Sequence, residues 1–135
     1  MEKFEAKEKK GGADFDAINT FAMAACYSPE DGADMGISLP LRATGALDED
    51  VWRRWLEFDP VCVAERHVDA LRGMRLLFID CGKRDEFHLH VGARELARRL
   101  RDLAVEHVHE EFDDTHMGIT YRFDRSLPLI SRSFD

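Results

Sequence analysis

An amphipathic helix between two strand-like segments constrains this sequence more than any other feature. Apolar residues recur from position 89 to position 103 at helical spacing, which predicts a helix with one buried face. The short apolar run 75–80 precedes it, and the loosely alternating segment 105–112 follows it. Because a crossover helix between two extended segments joins parallel strands, the sequence predicts an α/β fold.

The apolar run 75–80 is typical of a strand that is buried on both faces of a parallel sheet. We therefore expect a three-layer α/β/α arrangement, with helices on both faces of a mostly parallel sheet. Only two strands are evident, and a buried strand with one neighbour leaves backbone groups unpaired. The sheet is thus expected to be incomplete and to seek a partner.

The segments before position 75 predict helices, a tail and a loop. Residues 1–13 are rich in Lys and Glu and include Gly11-Gly12, which indicates a charged flexible tail ahead of a domain over residues 14–135. The small and apolar residues 18–27 favour a helix. Residues 34–48 have little periodicity and predict a surface loop.

Two further helices are indicated by their capping residues. Asp48 or Glu49 can cap a short helix, and Asp59-Pro60 is a strong start for a helix that reaches about residue 72. The short helix would place three apolar residues on one face, for which core packing is the simplest role: Val51, Trp52 and Trp55. A last helical segment near the end of the chain is interrupted by Pro128.

Composition excludes several classes of partner. The chain has 27 acidic and 19 basic residues, a net charge of -8 that repels nucleic acid and anionic membranes. No apolar run approaches the roughly 18 residues of a membrane span, and the charged N-terminus carries no secretory signal, so a cytoplasmic location is expected. The three cysteines are widely spaced in apolar sequence, which predicts buried, reduced thiols: Cys26, Cys62 and Cys81.

Ionisable residues are concentrated in the loops that follow the two predicted strands. The loops are 80–88 and 113–118, and the carboxyl ends of parallel strands meet at one edge of a sheet. An acid from the first loop and His116 from the second would form a pair in which the carboxylate fixes the imidazole tautomer. Asp85 within the loop and Asp80 at the strand end are the two candidate acids.

At these residues the sequence resembles the α/β-hydrolase putative esterases, which include enterochelin-esterase-like, S-formylglutathione-hydrolase-like and mycolyltransferase-like members. The resemblance rests on residues 76–87, 90–103 and 107–116, with weaker support upstream in 21–29 and 52–69. It implies hydrolysis of a small-molecule carboxylic ester through a serine ester, without a cofactor. It also implies that Asp85 is the triad acid and His116 the general base.

The sequence departs from that family at the nucleophile. The family places its serine in a Gly-x-Ser-x-Gly-like elbow, and none of the five serines has this context: Ser28, Ser38, Ser126, Ser131 and Ser133. The chain therefore resembles the C-terminal half of an esterase, residues 14–135. We expect it to lack triad-dependent hydrolysis by itself and to self-associate or bind a complementary N-terminal half.

Two other functions remain open. An incomplete sheet could belong to a non-catalytic assembly module that has only the ancestry of an esterase. Alternatively, a metal could be chelated by closely spaced histidines, although no helical HExxH spacing is present. The candidate ligands are His88, His90, His107 and His109, together with His116 or Glu110.

Overall fold

A computed structural model of the protein describes residues 11–134. The chain divides into two units, the first ending at Asp59 and the second beginning at Pro60. From Gly11 onward, the first unit contains the helices α1 (Gly12–Tyr27) and α2 (Glu49–Leu56), with a 3-10 turn at Asp34–Gly36.

Helix α1 confirms the helix expected over residues 18–27 and extends it toward the N-terminus. It begins at Gly12, where the Asp14 carboxylate accepts the backbone N–H of Gly11 at 2.6 Å. Two positions of the stretch expected as a tail, 12 and 13, are therefore helical, and the first ten residues of that stretch lie outside the described residues. The helix ends at Tyr27; the N–H of the capping residue Ser28 donates to the carbonyl of Ala24, and a proline follows.

Residues 34–48 form the loop that the sequence predicts, and Asp48 then caps α2. Its carboxylate accepts a hydrogen bond from the Val51 N–H at 3.3 Å and forms an ion pair with Arg42 at 3.0 Å. The backbone hydrogen bond and the guanidinium together lower the pKa of Asp48. Val51 is buried on the inner face of α2, as the spacing predicts, whereas Trp52 is exposed.

Three aromatic residues of the first unit pack against one another. Tyr27 meets Trp55 edge to face at 5.7 Å between ring centroids and stacks on Phe58 at 4.9 Å. The Trp55 indole N–H donates to the fully buried Ser28 hydroxyl at 2.8 Å, which satisfies both polar groups. Packing is therefore the observed role of this tryptophan.

The second unit contains the sheet. Its helices are α3 (Pro60–Val63), α4 (Val68–Arg72), α5 (Leu89–Asp102) and α6 (Phe123–Arg132), with 3-10 turns at Ala64–His67 and Thr120–Arg122. Its strands are β1 (Phe78–Gly82) and β2 (Val108–Phe112), which pair in parallel from Phe78 opposite Val108 to Gly82 opposite Phe112. The expected strand, helix and strand are thus confirmed, and the chain is a mixed α and β protein.

Two helix predictions differ from the structure. The helix expected from Pro60 to residue 72 is broken into α3, a 3-10 turn and α4, and the backbone at His67 leaves the helical region (φ -118°, ψ 18°). This stretch is rich in β-branched valines, which favour helices weakly. Conversely, α6 continues through Pro128, which lacks the N–H that would donate to the Asp124 carbonyl; both residues are exposed.

Helix α5 packs on the sheet as its apolar spacing predicts. Ala97 and Leu100 on its inner face are almost completely buried, together with Val105 where the chain turns toward β2. On this side of the sheet, Arg94 of α5 forms an ion pair with Glu111 of β2. The alternating pleat sends Asp80 and Glu110 to the opposite side, where Arg122 binds both carboxylates.

The cysteine prediction is correct for one position of three. Cys81 on β1 is buried, whereas Cys26 and Cys62 are exposed. Their apolar neighbours suggested burial, but α1 and α3 each present the cysteine on an outward face. Within residues 11–134, no helix combines the length and the apolar character needed to cross a bilayer.

Candidate functional site

The loops that follow β1 and β2 are joined by backbone hydrogen bonds. The Lys83 N–H donates to the carbonyl of Phe112 at 2.8 Å, and the Arg84 N–H donates to the carbonyl of Asp114 at 2.9 Å. These bonds continue the parallel ladder past its last register pair, Gly82 and Phe112. The two loops therefore face each other, as the strand order predicts.

Gly82 makes this close approach possible. A Cβ atom at position 82 would lie 2.5 Å from the carbonyl oxygens of both Asp114 and Thr115, which is far inside van der Waals contact. Only glycine fits at this point of the chain without moving the second loop. The glycine at the end of the apolar run is therefore required by the site and is more than a strand terminator.

Asp85 lies at the base of the joined loops and is 3% exposed. Its Oδ1 atom accepts the backbone N–H of Phe87 at 2.9 Å and that of Leu89, the first residue of α5, at 3.4 Å. Its Oδ2 atom lies 2.9 Å from Nδ1 of His116. Burial raises the pKa of Asp85, but the hydrogen bonds from His116 and from these two N–H groups outweigh it, so the net pKa is lowered.

The ionised Asp85 determines the tautomer of His116. Because a carboxylate can only accept hydrogen bonds, the Nδ1 atom of His116 must carry the proton that it shares with Oδ2. In the neutral ring this leaves Nε2 as a free base. The His116 side chain is 37% exposed, and in the described part of the chain Nε2 has no hydrogen-bond partner.

Two further groups hold His116, and the sequence alone did not point to either. The ring of Phe87 packs against the imidazole at right angles, with 5.0 Å between centroids. The carboxylate of Glu86 accepts the backbone N–H of His116 at 3.0 Å. Their positions directly after Asp85 are the only signal that could have identified them.

Asp114 anchors the second loop. It accepts the N–H of Thr115 at 2.8 Å and the hydroxyl of Tyr121 at 3.0 Å. The backbone hydrogen bond and then the Tyr121 hydroxyl lower the pKa of Asp114. The loop that carries His116 is thereby tied to its own turn and to the following 3-10 segment.

Asp80, the competing acid, is occupied elsewhere. Arg122 binds both of its oxygens, at 2.9 Å and 3.1 Å, and the same guanidinium reaches Glu110 at 3.0 Å. Arg125 forms a second ion pair with Glu110. The structure thus brings Asp85 to His116 and holds Asp80 in a separate network.

No serine of the second unit hydrogen-bonds to His116 among the residues described there. The hydroxyl of Ser133 donates to the carbonyl of Ile130 at 2.7 Å, and Ser126 and Ser131 lie on α6. In the first unit, Ser28 is buried and donates to the carbonyl of Ser38 at 2.6 Å. None of these serines sits in a strand-to-helix elbow.

The candidate metal ligands are not gathered. The rings of His88 and His90 are 6.0 Å apart, and Nδ1 of His107 lies against the carbonyl of Val105. Glu110 is bound by two arginines. Over residues 11–134, the structure contains no group of three or more His, Cys, Asp or Glu side chains that could hold a metal ion.

The chain was compared with known proteins. No protein-family model matches the sequence, and no curated protein matches it.

Proposed function

We propose that this chain carries the acid and base of a serine carboxylic ester hydrolase. The observation that carries the proposal is the 2.9 Å contact between Asp85 Oδ2 and His116 Nδ1. The acid is buried, the base is accessible, and both stand beyond the carboxyl ends of neighbouring parallel strands. This is the location where open α/β sheets place their catalytic groups.

The arrangement fits acyl transfer through a serine ester. Nε2 of His116 would take the proton of a serine hydroxyl as its oxygen attacks the ester carbonyl, and would then deliver that proton to the leaving alkoxide. In deacylation, Nε2 would take a proton from water as the water oxygen attacks the acyl carbonyl, and would deliver it to the serine oxygen as the acyl–serine bond breaks. Asp85 would hold the ring in the required tautomer and stabilise the imidazolium while it exists.

We further propose that the chain forms the C-terminal part of a three-layer α/β/α hydrolase fold. Helix α5 contacts one face of the sheet, and the segment before α6 reaches the other face through Arg122. Within the described residues the sheet has two strands, so each strand keeps one unpaired edge. In this proposal, further strands would pair with those edges.

An exposed apolar stripe on the last helix supports the same proposal. Phe123, Leu127 and Ile130 recur at helical spacing and are all exposed, as is Phe134 just beyond α6. Such a stripe normally faces a neighbouring element. A complementary N-terminal half that covers this stripe would also supply the nucleophilic serine and the oxyanion donors.

The substrate class and the location belong to the proposal as well. A small-molecule ester is the substrate that the serine mechanism implies, and no cofactor is needed for it. A cytoplasmic setting, where thiols stay reduced, agrees with three free cysteines, of which Cys26 and Cys62 are exposed.

A fluorophosphonate probe tests the proposal on the form of the protein that occurs in its source cells. The chain, tagged at its own locus, is purified with whatever segment or partner accompanies it, labelled, and read by intact mass and digestion. We expect one serine adduct, which His116→Ala abolishes and His107→Ala preserves. His107 is a matched control because its ring binds a backbone carbonyl in the same unit.

Two outcomes would contradict the proposal. One is the absence of any adduct on the native form, and the other is an adduct that His116→Ala leaves unchanged. The unlabelled native form would favour the assembly module, for which the exposed stripe on α6 is the supporting observation. Light scattering would then be expected to show a stable oligomer that Leu127→Glu dissociates.

A further inference from the structure

Two consecutive residues hold His116 at two different points. Asp85 binds the ring through Nδ1, and Glu86 binds the main chain through the backbone N–H at 3.0 Å. With the ring contact alone, the main chain at His116 could move by rotation about the His116 side-chain torsions without breaking the hydrogen bond to Asp85. A second contact on the main chain removes that freedom.

The other contacts of this loop are made by the neighbours of His116. Asp114 accepts the Tyr121 hydroxyl and, through its carbonyl, the N–H of Arg84, and the Thr115 hydroxyl donates to the carbonyl of Met117 at 3.4 Å. After His116 the chain reaches Met117, which is strongly exposed, and Gly118, which has a positive φ of 74°. Glu86 is therefore the contact that fixes the main chain at the histidine itself.

The Glu86 contact is charge-assisted. The hydrogen bond from the His116 N–H lowers the pKa of Glu86, so the carboxylate is ionised wherever an imidazole can act as a base. This contact does not involve the proton that Asp85 shares with Nδ1.

We propose that Glu86 is a positioning residue, which holds the backbone of His116 so that Nδ1 meets Asp85 and Nε2 stays directed outward. This inference rests on the proposed function for its meaning in catalysis. The geometry that it assigns to Glu86 can be measured without any ester.

Amide hydrogen exchange of the full 135-residue chain tests the backbone contact. In Glu86→Ala we expect the His116 amide to exchange about 10-fold faster, since a charge-assisted hydrogen bond is lost. Glu86→Gln keeps an acceptor oxygen and should restore most of the protection. Glu106→Ala is the matched control, because Glu106 is exposed and has no ion pair or hydrogen bond in the part of the chain that the structure describes.

The ring tautomer supplies a readout that a merely structural role would not change. In Glu86→Ala, ¹⁵N spectra of the imidazole should show a larger share of the Nε2–H tautomer, and Glu86→Gln should reverse this. Should the alanine variant fail to fold, Glu86→Ser is too short to reach the amide and gives the same test.

Unchanged exchange and an unchanged tautomer in Glu86→Ala or Glu86→Ser would overturn the inference. The result is separate from the fate of the proposed function. A missing serine adduct on the native form would contradict the esterase proposal, whereas the exchange experiment reports only on how His116 is held.

Discussion

Two clusters of paired charges surround the same two strands, and they are built in different ways. The network on the strands joins Asp80 and Glu110 to Arg122 and Arg125, while the pair on the loops joins Asp85 to His116. The arginines keep their charge at any physiological pH, whereas an imidazole can both accept and donate a proton in a reaction. Only the loop pair can therefore pass a proton during a reaction.

The two clusters also differ in how their charges are held. Hydrogen bonds from Arg125 and Arg122 lower the pKa of Glu110, and the hydrogen bond to Asp80 raises the pKa of Arg122. In the strand network the charges of Glu110, Arg122 and Arg125 are thus each favoured by an opposite charge. At Asp85, burial opposes ionisation, and the hydrogen bonds of His116 and of the α5 N-terminus are needed to overcome it.

Replacing Asp85 or Asp80 with asparagine, one at a time, should give the largest difference in activity between the two clusters. In the native form, we expect Asp85→Asn to lower ester hydrolysis by about 10⁴-fold, because the imidazole loses its tautomer and its counter-charge. Asp80→Asn should change the rate less than about 3-fold, since Arg122 retains Glu110. Rates with p-nitrophenyl acetate measure both effects, and equal losses in the two variants would contradict the division.

A methyl group at Gly82 should break the loop pair through the backbone. Gly82→Ala places a Cβ atom against two carbonyl oxygens, and we expect a loss of about 3 kcal/mol in the free energy of unfolding. Gly92→Ala is the matched control, because nothing lies within 4 Å of its Cβ and it stands inside α5. That control should stabilise the protein by about 0.5–1 kcal/mol.

Urea unfolding measures both glycine variants. A tolerated Gly82→Ala, with the Asp85–His116 contact intact by NMR, would show that the second loop does not depend on the close approach at Gly82.

Removing the central arginine should affect stability and leave the loop pair unchanged. Arg122→Ala leaves Asp80 without its partner and weakens the hold on Glu110, at a cost of about 1–2 kcal/mol for these half-buried groups. The exposed Arg101, changed to alanine, should have no measurable effect. If Arg122→Ala also changed the His116 tautomer, the two clusters would be coupled and the comparison would fail.

The smallest expected effect is on how the free energy of unfolding changes with pH under acidic conditions. The pKa of Asp85 is lower in the folded chain than its ordinary value, so the unfolded chain binds more protons and stability rises with pH in this window. The contribution is complete above the ordinary carboxyl range, near pH 4, and is lost as the pH falls through the folded pKa. In Asp85→Asn, unfolding between about pH 2 and 5 should depend less steeply on pH.

Asp113→Asn should retain the steep pH dependence, because Asp113 is exposed and its ion pair with Arg84 lies in solvent. If the free energy of unfolding of Asp85→Asn depended on pH as steeply as that of the wild type, Asp85 would not be the source of this pH dependence.

The order of elements in the second unit could be predicted from the sequence. The apolar period of α5 and the two flanking segments led to a parallel pair, and parallel strands bring their following loops to one edge. That argument alone placed Asp85 and His116 near each other. The choice between Asp85 and Asp80 followed from the family resemblance. The structure shows the physical difference between the two acids, because Arg122 binds Asp80 and not Asp85.

Other features could not be predicted because they depend on contacts distant in sequence. The need for glycine at position 82 arises from carbonyl groups more than thirty residues later. In the sequence, Glu86 looks like an ordinary loop carboxylate. Only the folded structure shows that it accepts the backbone N–H of His116. The exposure of Cys26 and Cys62 depends on which side of a helix finds a neighbour, and local apolar sequence does not reveal this.

The imidazole of His116 offers the most direct test of the loop pair. Long-range ¹H–¹⁵N spectra of the full chain at alkaline pH, where the ring is neutral, identify which nitrogen carries the proton. We expect the Nδ1–H tautomer in the wild type and a shift toward Nε2–H in Asp85→Asn, because the carboxylate at 2.9 Å accepts from Nδ1. A wild-type ring protonated mainly on Nε2, or a tautomer that Asp85→Asn leaves unchanged, would contradict the assignment of Asp85 and His116 as an acid–base pair.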